Sequence, residues 1–353
     1  MKRFITPLQI KKAIGMTFLS ALVLSCSVDP EITPTVNLDN IQPVIPDGWP
    51  TPVYNFENNP LTPAGFDLGH ALFYEPMLSV DNTVSCSSCH QQFAAFAQAD
   101  HDFSHGINGL LGKRNAPALQ NLNWNPYFMH DGGINNIEVQ PTAPITNPVE
   151  MGETISNVVF KLSNSSKYRT LFKNAFGDET VNSQRMLKAL AQFMGALYSY
   201  NSKYDQVRAG KASFTAAEQQ GYTLFQQKCA SCHVEPLFSD YQFRNNGLAV
   251  NTFINDSGRA HITQLPADLW KFKTPSLRNI EKSKPYMHDG RFTTLDQCLD
   301  HYVSGIVSSA TLDPQLASGI ALSSQDKTNI IAFLKTLTDT KFLTDVRYSE
   351  NYK

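Results

Sequence analysis

The chain has 353 residues, 42% of them hydrophobic and 17% charged, with a formal net charge of −2. That length exceeds one typical domain and predicts two. A balance this close to neutral gives no hold for nucleic acid or for an anionic membrane surface, while 11% aromatic content suits an apolar cofactor pocket.

Residues 1–26 read as a targeting segment. Lys2, Arg3, Lys11 and Lys12 make a basic start. Ala13 to Leu24 is apolar but too short to span a bilayer. The segment ends Val23-Leu24-Ser25-Cys26, which resembles a bacterial lipobox. Cys26 would then carry lipid, become the mature N-terminus and anchor the protein to the membrane. Ordinary signal cleavage with a free Cys26 is the alternative. Both readings export the protein to the periplasm or cell envelope. Residues 27–60 are rich in Pro, Asn, Asp and Thr, and 27–55 read as a flexible tether.

A helix is predicted to start at Thr62, with Pro63 in its first turn and Phe66, Leu68, Ala71, Leu72 and Phe73 following. It runs toward Cys86-Ser87-Ser88-Cys89-His90. C-x-x-C-H is the attachment signature of c-type haem. Two thiols add to the porphyrin vinyl groups, and the adjacent His binds the iron. The motif returns as Cys229-Ala230-Ser231-Cys232-His233, again behind a predicted helix that opens with the capping box Thr215-Ala216-Ala217-Glu218. Zinc knuckles are the competing reading, but four ligands per metal are needed and neither motif has a partner C-x-x-C nearby. Six cysteines then divide into one lipid site, four thioethers and Cys298, which sits in an amphipathic run and is expected to be buried packing.

The repeat extends well past the cysteines. Gly69-x-x-Leu72-Phe73 matches Gly221-x-x-Leu224-Phe225. Ala116-Pro117-Ala118-Leu119-Gln120-Asn121 matches Thr274-Pro275-Ser276-Leu277-Arg278-Asn279. Tyr127-Phe128-Met129-His130-Asp131-Gly132 matches Tyr286-Met287-His288-Asp289-Gly290. Pro117 to His130 and Pro275 to His288 both span 13 residues. Equal spacing of this kind argues for duplication of one unit. Between the units, Ser183 to Tyr200 is predicted helical, with Met186 and Met194 as core rather than iron ligands. The join falls near 201–214.

The duplication serves as a ruler for the sixth ligands. Tyr302 lies 14 residues after His288, and the same offset from His130 reaches Pro144. Tyrosinate can bind iron and proline cannot. The ruler therefore predicts an open first haem and a closed second one, with His301 and Met287 as other candidates for the second iron. Over an open haem, Glu150 in Asn147-Pro148-Val149-Glu150-Met151 could shuttle a peroxide proton, and Gln140 could hydrogen-bond in the same pocket. His101 or His105, in a loop over 98–112, could ligate the first iron at rest; solvated loop histidines are the alternative.

Over roughly residues 56–340, the paired C-x-x-C-H with Arg-Asn-Ala-Pro, Asn-Pro-Val-Glu-Met, Pro-Ser-Leu-Arg-Asn and Met-His-Asp-Gly-Arg resembles the bacterial di-haem cytochrome c peroxidase family, including its MauG-like branch. The resemblance implies a mainly α-helical fold of two cytochrome c-like domains, 56–200 and 201–353, each carrying one covalent haem. It implies an N-terminal peroxidatic haem and a C-terminal electron-accepting haem. It also implies a calcium ion held by the Asn115 side chain and the Ser283 and Pro285 carbonyls, and it matches Glu150 and Gln140 to the distal catalytic positions. Three departures stand out. The family's tryptophan between the haems falls at His130. The second-haem methionine of many members falls at Tyr302, as in the MauG-like branch. The mobile distal histidine has only an approximate counterpart in His105, offset by two residues.

The expected function is reduction of hydrogen peroxide by electrons from a small redox protein, a cytochrome c or a cupredoxin. An oxidase that modifies a protein or small substrate and a non-enzymatic di-haem electron carrier are the rivals. A homodimer is carried as an open expectation.

Overall fold

In this computed structural model, Met1, residues 41–99 and residues 101–352 are described. Cys26, the targeting segment and the first part of the tether lie outside them. In chain order the helices are α1 (Pro63–Phe73), α2 (Thr142–Thr146), α3 (Ile155–Ser163), α4 (Ser166–Phe176), α5 (Ser183–Gly195), α6 (Lys203–Arg208), α7 (Ala216–Lys228), α8 (Ala260–Thr263), α9 (Leu295–Asp300), α10 (Ser324–Lys335) and α11 (Thr340–Leu343). Two short strands, β1 (Phe243–Arg244) and β2 (Phe272–Lys273), pair antiparallel. The chain is thus mainly helical. No helix among the described residues is long and apolar enough to cross a membrane.

The first helix begins where its cap chemistry says it should. The Thr62 hydroxyl accepts from the Gly65 amide at 3.0 Å, and Pro63 fills the first position, where a missing N–H costs nothing. α7 opens on the Thr215–Glu218 capping box. Each of these helices crosses a long partner at its conserved-spacing glycine. A β-carbon at Gly69 would lie 2.0 Å from the Ala189 carbonyl oxygen on α5; one at Gly221 would lie 1.9 Å from the Asn329 carbonyl oxygen on α10. The G-x-x-L-F repeat is therefore a packing device: the glycine admits the neighbouring backbone, and Phe73 and Phe225 fill the core beside it.

The duplication is visible in the loops too. Asn121 and Asn279 both take left-handed φ values, 57° and 58°, which asparagine tolerates. Asn121 donates its backbone N–H to the Leu197 carbonyl at 2.9 Å, and its side-chain oxygen accepts from the Ser199 amide at 2.9 Å. Asn279 repeats this with Leu337 at 3.1 Å and Asp339 at 2.8 Å. These bonds also end α5. The predicted helix over Ser183–Tyr200 stops at Gly195 because Leu197 and Ser199 are taken by Asn121. Met186 and Met194 are buried core residues.

Buried side chains gather in two clusters. One is built on Phe66, Phe73, Phe96 and Phe193, the other on Tyr204, Phe225, Phe238 and Phe333. The stretch from His233 to Pro275 is 42 residues, against 27 from His90 to Pro117. The longer stretch reaches back to the first half. Arg114 bridges Asp131 at 2.6 Å and Asp256 at 2.6 Å. Arg259 donates to the carbonyls of Asp131 and Gly132 at 2.8 and 2.9 Å. Lys273 donates to the Tyr127 carbonyl at 2.6 Å.

Candidate haem-binding sites

Each C-x-x-C-H folds as a tight turn that brings its histidine under its cysteines: His90 N–H donates to the Cys86 carbonyl at 2.9 Å, and His233 N–H to the Cys229 carbonyl at 3.0 Å. The rings are then fixed. His90 Nδ1 lies 2.7 Å from the Phe96 carbonyl oxygen, and His233 Nδ1 lies 3.1 Å from that of Phe238. A carbonyl only accepts, so Nδ1 carries the proton and Nε2 keeps its lone pair. Burial lowers the pKa of both rings and holds them neutral. This is the tautomer that an iron ligand needs. Burial also pushes the thiols of Cys86 and Cys229 up to about 12, so they rest protonated. Both sites fit covalent haem.

Beyond the second motif, α9 runs into a single π-turn over His301–Gly305 that carries Tyr302. Burial pushes the Tyr302 phenol up to about 12; Asn246 hydrogen-bonds it in the opposite sense, and the thiols of Cys298, Cys229 and Cys232 lie close enough to add to the rise. Tyr302 thus lies near the second motif. Its rivals are engaged elsewhere. His301 Nε2 lies 3.0 Å from the Asn246 carbonyl oxygen, and Met287 Sδ accepts from the Asn246 amide at 3.6 Å. Asn246 therefore organises all three candidates, and nothing in its sequence context marked it. Cys298 is partly buried on α9, with its thiol pushed up to about 12 by burial.

At the first motif, Pro144 sits inside α2, and α2 leads into the turn that ends at Glu150. Burial raises the Glu150 pKa, and the Asn147 amide, donated to Glu150 Oε1 at 2.9 Å, lowers it. The Glu150 carboxylate is near enough to raise the Cys89 thiol, which burial raises first and the Ser104 hydroxyl opposes. The loop over 101–112 packs onto this turn. Ile107 N–H donates to the Glu150 carbonyl at 2.8 Å, and a β-carbon at Gly106 would lie 2.1 Å from the Val149 carbonyl oxygen. His101 and His105 stack with ring centroids 4.5 Å apart and are solvent-exposed. Gln140 donates to Met129 Sδ at 3.7 Å; among the described residues no hydrogen bond joins it to Glu150. Asn147 is the residue here that sequence reasoning missed.

His130 and His288 meet between the halves around Asn115. His130 Nε2 lies 2.9 Å from the Asn115 carbonyl oxygen, and Asn115 N–H donates to the His288 carbonyl at 2.8 Å. His288 stacks on Phe272 with centroids 3.8 Å apart. The Asn115 side-chain amide donates to the carbonyls of His101 and Asp102 at 3.2 and 3.4 Å. That turns its oxygen away from them and leaves it as the donor a hard cation would take. Pro285 is buried and Ser283 half-buried. Among the described residues no group of three or more His, Cys, Asp or Glu side chains is spaced to hold a metal.

The profile of the di-haem cytochrome c peroxidase family matches residues 63–213. The chain is 35% identical over 291 residues to the methylamine utilization protein MauG of Methylorubrum extorquens, covering 79% of each chain. It is 30% identical over 345 residues to the cytochrome c551 peroxidase of Nitrosomonas europaea, covering 96% of this chain and 92% of that one. Its fold matches the crystal structure of a MauG-like protein associated with microbial copper homeostasis, with a TM-score of 0.79 and 31% identity over 88% of this chain and 99% of that one. By sequence and fold, the chain belongs to the di-haem cytochrome c peroxidase family and is an oxidoreductase of the peroxidase type.

Proposed function

We propose that the protein reduces hydrogen peroxide to two waters, using two protons and two electrons drawn one at a time from a small redox protein, a cytochrome c or a cupredoxin. Residues 56–200 hold the peroxidatic haem and 201–353 the electron-accepting haem. The asymmetry of two otherwise matching sites carries this reading. A phenol, Tyr302, lies near the second motif, whereas a half-buried carboxyl, Glu150, lies near the first.

Bound haem supplies one-electron chemistry and, at the open site, an iron that can take a peroxide oxygen. The chain does the rest. Cys86, Cys89, Cys229 and Cys232 tether the two groups, and the fixed tautomers of His90 and His233 present Nε2. With haem bound, Tyr302 would give up its phenol proton and hold the second iron as tyrosinate, an anionic donor that would favour ferric iron and lower its potential relative to methionine. Glu150 is placed to take a proton from one peroxide oxygen and return it to the other, so that the second oxygen could leave as water. Gln140 hydrogen-bonds in the same pocket. The loop over 101–112, packed on Val149 and Glu150, restricts solvent there. Asn115, Ser283 and Pro285 hold a calcium ion at the junction of the halves. The signal segment exports the protein, and lipid on Cys26 anchors it.

Tyr302 also favours a second reading, a MauG-like oxidase that directs the same oxidising power at a protein or small substrate. Peroxide-dependent oxidation of reduced cytochrome c separates the two: fast turnover supports the peroxidase, and its absence beside turnover of a candidate substrate supports the oxidase. Low-temperature electron paramagnetic resonance tests the site assignment. One high-spin and one low-spin ferric haem are expected; two low-spin signals would reduce the protein to an electron carrier.

A further inference from the structure

The segment that follows α10 crosses from the second half to the first. α6, which opens the second half, sets Tyr204 4.8 Å, centroid to centroid, from Phe238 of the same half. α11 follows the second repeat and sets Phe342 5.9 Å from Phe96 of the first, with Tyr348 at 6.5 Å from the same ring. Phe96 and Phe238 are the residues whose carbonyls take the Nδ1–H of His90 and His233. Both hold φ in the left-handed region, 60° and 55°. A bulky residue stays there only where its surroundings over-determine it.

At Phe96 much of that restraint comes from the C-terminal segment. Gln92, at the start of the turn that leads to Phe96, donates its side-chain amide to the Asp345 carbonyl at 2.8 Å and the Phe342 carbonyl at 3.4 Å. The Tyr348 hydroxyl donates to the Ala196 carbonyl at 2.7 Å, and the Tyr74 hydroxyl donates to the Tyr348 carbonyl at 2.6 Å. Phe342 is 3% exposed and Tyr348 4%, so the segment is built into the core of the first half.

We propose that the segment 339–349 is a positioning element for the first iron site: Phe342, Tyr348 and the Gln92 amide lock the Phe96 carbonyl onto His90 Nδ1 and thereby set the donor strength of His90. The inference rests on the reading of His90 as proximal ligand. A firm Nδ1–H···O=C bond makes the imidazole more basic toward its metal, and a more basic ligand favours ferric iron. Loosening the segment lets Phe96 relax, lengthens that bond and weakens His90 as a donor. The second site is an internal control, because the Phe238 ring packs on Tyr204, Phe225 and Phe333, and among the described residues no ring contact joins it to Phe342 or Tyr348.

The test uses full-length haem-loaded protein carrying Phe342→Leu, which keeps apolar bulk, or Gln92→Leu, which removes only the amide link. Potentials of both haems are measured by spectroelectrochemical titration and iron–histidine stretching by resonance Raman. In both variants the first-haem potential should rise and its iron–histidine band should fall, with the second haem unmoved. Unchanged first-haem values in folded, fully loaded variants would overturn the proposal, as would equal shifts at both haems, which mean general loosening. If Phe342→Leu does not fold, Gln92→Leu and Tyr348→Phe decide it. Parent protein with no first-haem iron–histidine band fails the ligand reading; a parent band that stays put in the variants fails this inference alone.

Discussion

At residue scale the proposed chemistry falls to Glu150 and Tyr302, and each is hydrogen-bonded by an asparagine. Burial raises the Glu150 carboxyl while Asn147 lowers it, which suits a group that must both accept and return a proton. Glu150→Gln keeps the size and the bond to Asn147 but loses the base. Haem content and the second-haem spectrum should stay normal, and peroxide turnover should drop by roughly 10²–10⁴, the usual contribution of general acid–base catalysis. Near-normal turnover would pass the proton role to another group, His105 first. At the second site, Tyr302→Phe should shift that haem's spectrum and raise its potential, because an anionic ligand is lost. His301→Ala and Met287→Leu should leave the spectrum alone, since Asn246 already engages the His301 ring and the Met287 sulfur. A spectrum that responds to His301→Ala and not to Tyr302→Phe would reverse the assignment. Glu150 and Tyr302 were singled out in the sequence through motif and repeat spacing. Asn147 and Asn246 were not, because an asparagine in a polar loop looks the same whether or not its amide has a target.

At the scale of elements, the helix starts were the most legible feature. Thr62-Pro63 and Thr215-x-x-Glu218 satisfy exposed amide donors by local geometry alone, and local geometry is what sequence records. The end of α5 was not legible, since it is set by Asn121, more than 70 residues away in the chain. The glycines repeated in α1 and α7 were visible as a pattern, and their reason appears only at the helix crossings. Gly221→Ala puts a methyl 1.9 Å from a backbone oxygen of α10. In an unobstructed helix the same change stabilises by about 1 kcal/mol. Here overpacking should destabilise by roughly 1–3 kcal/mol, read as a lower denaturation midpoint with both haems retained. Gly69→Ala should behave alike against Ala189. A rise in stability in either variant would mean that the helices separate without cost and that the crossing is looser than it looks.

Across the whole molecule the repeat was readable, but the docking of α11 on the first half was not, because it packs on a repeat to which its sequence position does not assign it. The junction of the halves, hidden from sequence for the same reason, is expected to govern how stability falls in mild acid. His130 and His288 lie there in contact with Asn115 from opposite sides. Burial is the main cause that lowers each from 6.5 to about 4; the Arg114 guanidinium adds to this at both rings, while Asp289 and Asp256 oppose it at His288. Between those values the unfolded chain binds protons that the folded chain refuses, so folding stability falls as pH drops through that window and is fully present only above it. Asp256 and Asp289, held below the ordinary carboxylate value of 3.8 by Arg114 and Arg291, act at lower pH and do not blur it. Denaturant unfolding of the holoprotein should therefore show a falling midpoint from about 6.5 to about 4. The His130→Gln/His288→Gln variant, which keeps polar side chains but cannot titrate, should flatten that fall. An equally steep loss in the double variant would move the cause to His90 and His233, whose protonation would release them from iron, and the haem spectrum would then change along with the unfolding curve.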